Sequence, residues 1–445
     1  MRIPVRLDLA LIVLRIVLIL GLMPFAIGWR TPFFASWRYV ALAVLLALPL
    51  MLIATETWIL RRTWTRSRPA RLLGGASLAL ALLAFGATAA QEISFQYKRQ
   101  AVLAADPAAL ERLGRHLLVG YRDASTLQAL IQRRSIAGIY LTARNVEGKT
   151  SDAIRQSTDA LQAIRRAQGL DPLWIATDQE GGAVSRMSPP LTRMASVAEI
   201  VALHPDPAER AIAIRQYAAH QGRELSGIGV NLNFAPVVDL NLGIHNPDDR
   251  LSRIATRAIS GDPAVVTAVA DLYCATLLMT GVHCTLKHFP GLGRVYEDTH
   301  KLSADLVTPS QELEASDWLP FRKLAGNSSI FTMLGHARLT TIDGERPASF
   351  SQAVVKDLLR ESWKHNGVLI TDDFSMGAVT LSREGPAGGA IAALNAGVDL
   401  ILVSYDPDQY FPVMYALLQA ERDGRLRAEM LESSQMRLRR AAGGH

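Results

Sequence analysis

The sequence predicts an α/β protein in which a (β/α)8 barrel of the TIM type follows about three transmembrane helices. Three observations lead to this fold class. The N-terminal part contains long apolar segments, and the rest of the chain alternates short runs of β-branched residues with amphipathic helical stretches. Polar clusters follow several of these runs, where a barrel carries its active site. An open doubly wound sheet is the alternative, because periodicity alone does not show that a sheet closes.

The apolar segments are each long enough to cross a hydrocarbon core of roughly 30 Å at about 1.5 Å per residue. They span about residues 9–29, 39–60 and 72–90. The composition agrees with a membrane component, since 49% of the residues are hydrophobic and the mean hydropathy is positive. We therefore predict a transmembrane anchor over residues 1–91 and a barrel domain over residues 92–445.

Basic residues are concentrated beside the apolar segments. Residues 1–71 contain ten arginines and two acidic residues, a balance of +8, so that the remainder carries −2 of the net +6. The pI near 9.4 thus reflects membrane-flanking segments and does not indicate nucleic-acid binding. Five arginines lie between the second and third segments. Placing them in the cytoplasm predicts a multi-pass protein of a bacterial inner membrane, with its large domain on the periplasmic or outer side.

Two features of the apolar segments admit a second interpretation. Arg15 lies within the first segment, and its closeness to the basic end favours snorkelling to the interface over a functional role. The stretch 87–89, Ala-Thr-Ala, resembles a small-residue cleavage site, but the two upstream spans favour a retained anchor.

Eight runs in the second part of the chain are predicted to be strands, because they are short, rich in β-branched residues and widely spaced. These runs are Leu117–Gly120, Ile136–Leu141, Leu173–Thr177, Val230–Ala235, Val282–Leu286, Ile330–Leu334, Gly367–Thr371 and Val398–Ser404. Amphipathic helices are predicted between them, for example at Ser151–Gln168, Pro207–Ser226 and Pro263–Met279.

Polar residues follow five of the predicted strands. They are Asp178 to Gly182 after the third strand, Asp239 and Asn241 after the fourth, Lys287 and His288 after the fifth, His336 after the sixth, and Asp372 and Asp373 after the seventh. Because the C-terminal ends of barrel strands meet at one face, we expect these side chains to share a site. Asp is also a favoured helix N-cap, which is our preferred interpretation of Asp373.

The two cysteines, Cys274 and Cys284, are too few for a disulfide framework. Because one lies in a helix-like run and the other in a strand-like run, the sequence favours two separate core thiols over one buried bridge. His283, Cys284 and His288 do not have the spacing of a zinc site, since neighbouring side chains of a strand point to opposite faces. No metal site is predicted.

A shaped loop extends from Lys287 to His300 and reads KHFPGLGRVYEDTH. Gly291 and Gly293 allow backbone angles closed to other residues, and Pro290 is incompatible with a helix interior. With DQEGGAVSR, NFAPVVDLN and LITDDFSMGA, this motif resembles the glycoside hydrolase family 3 β-N-acetylglucosaminidases of the NagZ type. The resemblance runs from about residue 105 to the C-terminus, with the motifs in the expected order, and leaves out the apolar segments.

This resemblance implies catalytic roles for three residues. The nucleophile would be Asp372, because a retaining glycosidase needs an ionised carboxylate beneath the anomeric carbon. The general acid/base would be His300, oriented by Asp298, where most retaining enzymes use a second carboxylic acid. An imidazole with an ordinary pKa near 6.5 can protonate the leaving oxygen and later accept a proton from water.

The resemblance also implies side chains that would bind sugar hydroxyls and the acetamido group. They are Asp178, Arg186, Arg257, Lys287 and His288. Three positions depart from the family pattern: Leu292 replaces a second loop histidine, and Ala183 and Met187 replace residues that are often basic and aromatic. We expect activity to survive these changes, which bear on aglycone preference and on the resting shape of the loop.

The sequence thus predicts a membrane-anchored, outward-facing retaining exo-β-N-acetylglucosaminidase for small glycans, with peptidoglycan fragments as the expected substrate. No metal or organic cofactor is implied, and the predicted partners are carbohydrate and membrane. A β-glycosyl phosphorylase stays open, because an imidazole does not repel phosphate. A non-catalytic glycan-binding protein also stays open, given the anchor and Leu292. A transporter is disfavoured, since the spans contain few polar groups.

Overall fold

The computed structural model describes residues 5–62 and 67–443. Residues 1–4, 63–66 and 444–445, which include part of the arginine-rich connection used to orient the chain, lie outside the described residues. The chain divides into two compact units, Met1–Ala104 and Ala105–His445. The first unit holds the apolar segments and the second holds the polar motifs.

The N-terminal unit consists of three long helices joined by short connections. They are α1 (Val5–Gly28), α2 (Arg38–Arg62) and α3 (Arg68–Leu103). By length and composition, all three could cross a membrane. Ile19 and Ala26 of α1 pack with Ala81 and Ala84 of α3, and such small residues allow close approach of helix backbones. The third helix continues well past residue 91, where the anchor was predicted to end.

Arg15 has an acidic neighbour on α2, and the expectation that it snorkels stays a prediction. Its Nε atom lies 3.1 Å from Oε1 of Glu56, a buried residue of α2. The sequence analysis considered α1 alone, whereas packing of α2 brings an acidic side chain beside Arg15. A paired charge within apolar helices is less costly than an unpaired one.

The second unit contains an eight-stranded sheet, and every strand falls within or beside a predicted run. The strands are β1 (Leu117–Gly120), β2 (Gly138–Leu141), β3 (Trp174–Thr177), β4 (Leu232–Asn233), β5 (Thr285–Phe289), β6 (Phe331–Leu334), β7 (Leu369–Asp373) and β8 (Leu400–Val403). All pair in parallel, in the order β4-β3-β2-β1-β8-β7-β6-β5. Isolated parallel bridges join Leu232 to His283 and Val237 to Lys287, which completes the ring. The barrel prediction is confirmed, and the open sheet is wrong.

Helices alternate with the strands, as the sequence pattern predicted. They are α4 (Pro107–Gly114), α5 (Ala124–Gln132), α6 (Ala143–Val146), α7 (Ser151–Ala167), α8 (Val197–Leu203), α9 (Pro207–Gly227), α10 (Ile254–Arg257), α11 (Pro263–Leu278), α12 (Ser310–Ala315), α13 (Leu319–Leu324), α14 (Gly377–Thr380), α15 (Gly385–Ala396), α16 (Tyr410–Arg422) and α17 (Ala428–Ala442). A π-helical segment covers Ala353–Ser362. Aspartates at 106, 123, 206 and 262 cap four of these helices at their N-termini.

The barrel interior is filled by alternate side chains of the strands. The buried cluster includes Leu118, Tyr140, Trp174, Ala176, Leu232, Phe234, Phe331, Met333, Ile370, Leu400 and Leu402. Tyr140 stacks on Phe234 with ring centroids 5.8 Å apart. Such layers of side chains make the barrel a packed core and leave its loops at the strand ends to form a site.

The two cysteines form a disulfide, so the expectation of separate thiols is wrong. Cys274 of α11 and Cys284, directly before β5, have Cα atoms 5.3 Å apart. The ring of His283 contacts Trp174 inside the barrel, at a centroid distance of 5.3 Å. Because neighbouring side chains of a strand alternate, Cys284 points outward, towards the helix that leads into its own strand. Sequence patterns alone do not show that two adjacent elements face each other at these positions.

Buried histidines make the stability of the barrel sensitive to acid. Burial and the nearby Arg360 guanidinium lower the pKa of His365 to about 3, whereas an unfolded chain takes up this proton near pH 6.5. The stability that the neutral imidazole contributes is therefore lost as the pH falls from about 6.5 towards 3, by up to about 1.4 kcal/mol per pH unit.

We expect His365→Gln to reduce this loss, because a carboxamide can keep the hydrogen bond to Thr332 Oγ1 (3.0 Å) without titrating. The measurement is the free energy of urea unfolding of the detergent-solubilised protein at several pH values. Parallel losses of stability in the variant and the natural protein between pH 6.5 and 4 would contradict the assignment.

Candidate active site

The carboxyl ends of the barrel strands bring together most of the polar clusters that the sequence contains. Lys287 and His288 are the third and fourth residues of β5, Asp372 is the fourth residue of β7, and Asp178 directly follows β3. Lys287 and His288 are buried, as are Asp239 after β4 and His336 after β6. Asn241 points elsewhere, since its side-chain amide donates to the carbonyl of Ala255 in α10, at an exposed position.

A network of charges lies between β3 and β5. The Lys287 ammonium, only 2% exposed, is 2.6 Å from Asp178 Oδ1 and 2.6 Å from Glu180 Oε1. Arg257 forms a two-pronged pair with Glu180, at 2.9 and 2.6 Å. Burial alone would raise the pKa of both carboxyl groups, but Lys287 and Arg257 lower the pKa values below their ordinary range. Both carboxylates are therefore ionised and available to accept hydrogen bonds.

Asp178 also receives a hydrogen bond from the Tyr140 hydroxyl, at 2.6 Å. Arg186 directly follows a short antiparallel ribbon formed by Gln179–Gly181 and Val184–Ser185, and its backbone N–H donates to the carbonyl of Asp178 at 3.0 Å. The Arg186 side chain is exposed, and its charge contributes to the low pKa of Asp178. The Asp178 carboxylate thus has the Tyr140 phenol, the Lys287 ammonium and the Arg186 guanidinium around it.

His288 is held by Asp239. Its Nδ1–H donates to Asp239 Oδ2 at 2.7 Å, and its backbone N–H donates to the same carboxylate. The other ring nitrogen, Nε2, lies 3.5 Å from Arg257 Nη2 and accepts from it. Asp239 also accepts from the backbone N–H of Leu292 at 2.7 Å, so it fastens the start of the following loop.

The Asp-x-His pair at the end of that loop forms the hydrogen bond that its sequence indicates. His300 Nδ1 lies 2.9 Å from Asp298 Oδ1, and the His300 backbone N–H donates to the same oxygen at 3.0 Å. Asp298 is buried, whereas the His300 side chain is 36% exposed. Burial would raise the pKa of Asp298, but the hydrogen bonds and charge of His300 lower it. The fixed Asp298 carboxylate thus holds the His300 ring through Nδ1 and leaves Nε2 open.

The loop that carries His300 is attached to the segment that follows Asp372. The backbone N–H of Gly377 donates to the carbonyl of His300 at 2.8 Å, and that of Ala378 donates to the carbonyl of Thr299 at 3.1 Å. A Cβ atom at Gly377 would lie 2.2 Å from the carbonyl oxygen of Lys301, so only glycine permits this approach. The two loops meet at this point.

Asp372 lies among histidines. Burial would raise its pKa, but the charges of His288, His336 and His300 lower it, so the carboxylate is ionised at neutral pH. His336 is itself buried, and burial lowers its pKa. Its Nε2–H donates to the carbonyl of Asp373 at 3.2 Å, and its Nδ1 accepts from Ser349 at 2.7 Å. An ionised carboxylate at the end of β7 therefore interacts electrostatically with three imidazoles.

Residues 109–441 match the family model described as the glycosyl hydrolase family 3 N terminal domain. The chain belongs to glycosyl hydrolase family 3. It is therefore a glycoside hydrolase, and the matched range excludes the three apolar helices. Among the described residues, no group of His, Cys, Asp and Glu is arranged to hold a metal ion.

Named relatives and solved structures agree with this membership. The chain is 35% identical to the β-hexosaminidase of Xanthomonas oryzae pv. oryzae over 276 residues, which cover 62% of this chain and 78% of the relative. It is 32% identical to β-hexosaminidase LpqI of Mycobacterium tuberculosis, over 74% of this chain and 81% of the relative. The β-N-acetylhexosaminidase structure from Beutenbergia cavernae superimposes with a TM-score of 0.66 at 31% identity, covering 76% and 99% of the two chains.

The structure shows where the three residues that depart from the family 3 pattern lie. Leu292 is buried with Ile254, Ala258 and Ala337, and Val295 packs against this cluster. The leucine therefore replaces a polar loop residue by an apolar attachment of the loop to α10. On the neighbouring ribbon, Met187 is buried and Ala183 is exposed. Neither position carries a charge to the site.

The interpretation of Asp373 as a helix cap is wrong, since Met376 occupies the cap position of α14. The buried Asp373 carboxylate instead accepts from the backbone N–H groups of Ser375 (2.9 Å) and Ser404 (3.0 Å) and from the Ser404 hydroxyl (2.6 Å). It thus ties the end of β7 to the end of β8. This bond network holds the strand end that carries Asp372.

Sequence reasoning did not assign five side chains that belong to this family 3 site. They are Tyr140, Glu180, Asp239, Ser252 and His336. Glu180, Asp239 and His336 stood in the predicted polar clusters but received no role. The only sequence signal for Tyr140 was the presence of an aromatic residue near the end of an otherwise aliphatic predicted strand. Ser252 had no signal, because its partners lie 46 and 48 residues further along the chain.

Lys287→Met removes the ammonium from this network while keeping a chain of similar length. Breaking a buried ion pair costs about 3–5 kcal/mol, because the remaining charges stay buried without compensation. We expect a loss of this order in the free energy of urea unfolding at pH 7. The matched control is Lys323→Met on the exposed face of α13, which should change stability by less than about 0.5 kcal/mol.

Acid distinguishes the charge from the packing of Lys287. The low pKa of Asp178 and Glu180 stabilises the folded natural protein above their ordinary pKa values, and this contribution is lost as the pH falls through the lowered folded values. In the variant these carboxyls protonate more readily, so its deficit should shrink as the pH falls below about 4. A deficit that stays constant down to pH 3 would contradict the role of charge.

Proposed function

We propose that the chain is a retaining exo-β-N-acetylglucosaminidase that removes terminal N-acetylglucosamine from small glycans, with peptidoglycan fragments as its substrate. Two similar proteins, from Xanthomonas oryzae and Mycobacterium tuberculosis, are β-hexosaminidases. The observation that carries the proposal is the meeting of the His300 loop with the segment after Asp372 through two backbone hydrogen bonds. This contact lets the ionised Asp372 carboxylate and the His300 imidazole act on the same sugar.

In the first step, Asp372 attacks the anomeric carbon while His300 protonates the departing glycosidic oxygen from Nε2. The bond from the anomeric carbon to that oxygen breaks, and a covalent glycosyl-Asp372 forms. The lowered pKa of Asp372 favours this role, since the nucleophile must be ionised. Asp298 accepts from Nδ1 of His300 and stabilises the imidazolium that the acid requires.

In the second step, neutral His300 accepts a proton from water, whose oxygen attacks the anomeric carbon and releases Asp372. The configuration is retained because two inversions occur at one carbon. His300 is 36% exposed, so both the leaving group and the incoming water can reach Nε2. The ring therefore serves as acid and then as base from a single position.

Recognition of the terminal sugar is assigned to Asp178, Lys287, Arg257, Arg186 and His288. Ionised carboxylates accept from vicinal hydroxyls, and a guanidinium can donate to two oxygens at once. Lys287 and Arg257 already neutralise Asp178 and Glu180, so a neutral sugar adds hydrogen bonds without adding charge. A rigid ionic network suits an uncharged substrate.

The test is turnover of a chromogenic N-acetylglucosaminide by the full-length protein, beside Asp372→Asn and His300→Ala. Removal of the nucleophile should lower kcat by at least about 10³, and removal of the acid/base by about 10²–10⁴. Mass spectrometry after trapping with a fluorinated N-acetylglucosaminide should place the label on the peptide that contains Asp372. Equal rates in all three proteins, or a label elsewhere, would contradict the assignment.

The same assay separates the two alternative functions. With phosphate present, a β-glycosyl phosphorylase would release a sugar 1-phosphate, whereas a hydrolase releases free N-acetylglucosamine with or without phosphate. Absence of turnover with retained binding of the sugar would point to a glycan-binding protein. Comparison of peptidoglycan fragments with chitooligosaccharides then tests the substrate.

We also infer that the enzyme is held in a bacterial inner membrane by α1, α2 and α3, with its barrel on the periplasmic or outer side. The length and composition of these helices support membrane crossing, and the arginines that flank them support the orientation. The disulfide between Cys274 and Cys284 supports the location of the barrel, because disulfides persist in oxidising compartments such as the periplasm.

A reporter that is active only outside the cytoplasm tests this topology. Fused after Ala105, beyond the end of α3, it should be active, and fused within the connection 63–66 it should be silent. The second fusion is the matched control, since both contain the first two helices. The reverse pattern, or activity at neither site, would contradict the orientation.

A further inference from the structure

Ser252 lies beside the proposed acid/base pair and has no role in the mechanism derived so far. It belongs to the loop between β4 and α10, and it is 6% exposed. Its hydroxyl donates to Asp298 Oδ1 at 3.0 Å, and its oxygen lies 3.2 Å from His300 Nδ1. A buried hydroxyl thus contacts both members of the pair.

The backbone of Ser252 is fixed on both sides. Its N–H donates to Asp249 Oδ1 at 2.8 Å, and its carbonyl accepts from Arg257 Nη1 at 2.7 Å. Arg257 is in turn paired with Glu180, at 2.6 and 2.9 Å. The serine hydroxyl is therefore held at a set position relative to the charges that surround the sugar site.

Two oxygen atoms face Nδ1 of His300, one from Asp298 and one from Ser252. The serine proton is directed to the carboxylate, so the serine oxygen presents a lone pair to the ring. Both oxygens favour a proton on Nδ1, in the neutral ring as well as in the imidazolium. The catalytic proton is then confined to Nε2, the nitrogen that can meet the glycosidic oxygen.

We infer that Ser252 is a positioning residue for His300: it fixes the ring and its Nδ1–H tautomer, and it joins the acid/base pair to the Arg257–Glu180 pair. This inference rests on the proposed role of His300. The serine touches no reacting atom, and it acts through the imidazole. Its loss should affect the steps that need proton transfer and spare those that do not.

The leaving group of the substrate provides a readout that a merely structural role would not move. A methyl or N-acetylglucosaminyl aglycone needs protonation by His300, whereas a 2,4-dinitrophenolate departs without it. We expect Ser252→Ala to lower kcat/KM on the poor leaving groups by about tenfold, since a misplaced acid loses up to about 10² in rate. On the dinitrophenyl glycoside, the rate of glycosylation should change by less than about twofold, within the spread of uninvolved sites.

Two further variants complete the experiment on the full-length protein. Ser252→Thr keeps the hydroxyl and should restore most of the rate on poor leaving groups. Thr256→Val removes a hydroxyl of the neighbouring helix α10 that donates to the carbonyl of Arg253 at 2.9 Å, and this variant should behave as the natural protein. The dinitrophenyl rate also reports whether Ser252→Ala has folded.

The outcomes separate this inference from the proposed function. A selective loss in Ser252→Ala that threonine restores supports the inference. Equal effects on good and poor leaving groups, or no effect on either, overturn it while His300→Ala still shows the selective loss. If His300→Ala shows no dependence on the leaving group, the proposed acid role fails and the inference about Ser252 fails with it.

Discussion

The site depends on the neutralisation of charges at the ends of β3 and β5. Lys287 is 2% exposed and has a carboxylate at 2.6 Å on each side. An unpaired charge in such a place costs several kcal/mol, so Asp178, Glu180 and Arg257 must be present together. Their elements adjoin the junction between β4 and β5, where only isolated bridges complete the ring. The ion pair between Lys287 and Asp178 therefore also connects the ends of β5 and β3 across the short strand β4.

A second constraint joins the loop that carries His300 to the segment that follows Asp372. The loop that ends at His300 has no regular structure of its own, and it is held through Asp239 at its start and through Gly377 at its end. Each attachment uses a backbone group, so the loop path depends little on side-chain rotamers. The Asp373 carboxylate fixes the neighbouring end of β7 by accepting four hydrogen bonds. The His300 loop and the segment after Asp372 are therefore held in a fixed position relative to each other at the end of the barrel.

Patterns within single segments allowed the strands, the barrel and the position of the site to be predicted. The β-branched runs marked β1 to β8, and Asp372 lies at the end of a predicted strand, whereas Asp298 and His300 lie on the loop that follows β5. Contacts between distant segments could not be predicted in this way. The pairing of Arg15 with Glu56, the disulfide and the role of Ser252 depend on which faces of two elements meet. Such information resides in tertiary packing, and a local pattern does not contain it.

The burial of Leu292 makes the attachment of its loop to α10 dependent on temperature. The loop adheres to α10 through Ile254, Ala258 and Leu292, where a histidine would have offered a polar contact. Hydrophobic adhesion weakens on cooling, because its driving force near room temperature is entropic. The attachment of this loop to α10 should therefore loosen on cooling. The response of the protein to cooling is therefore a property of this loop as well as of the barrel core.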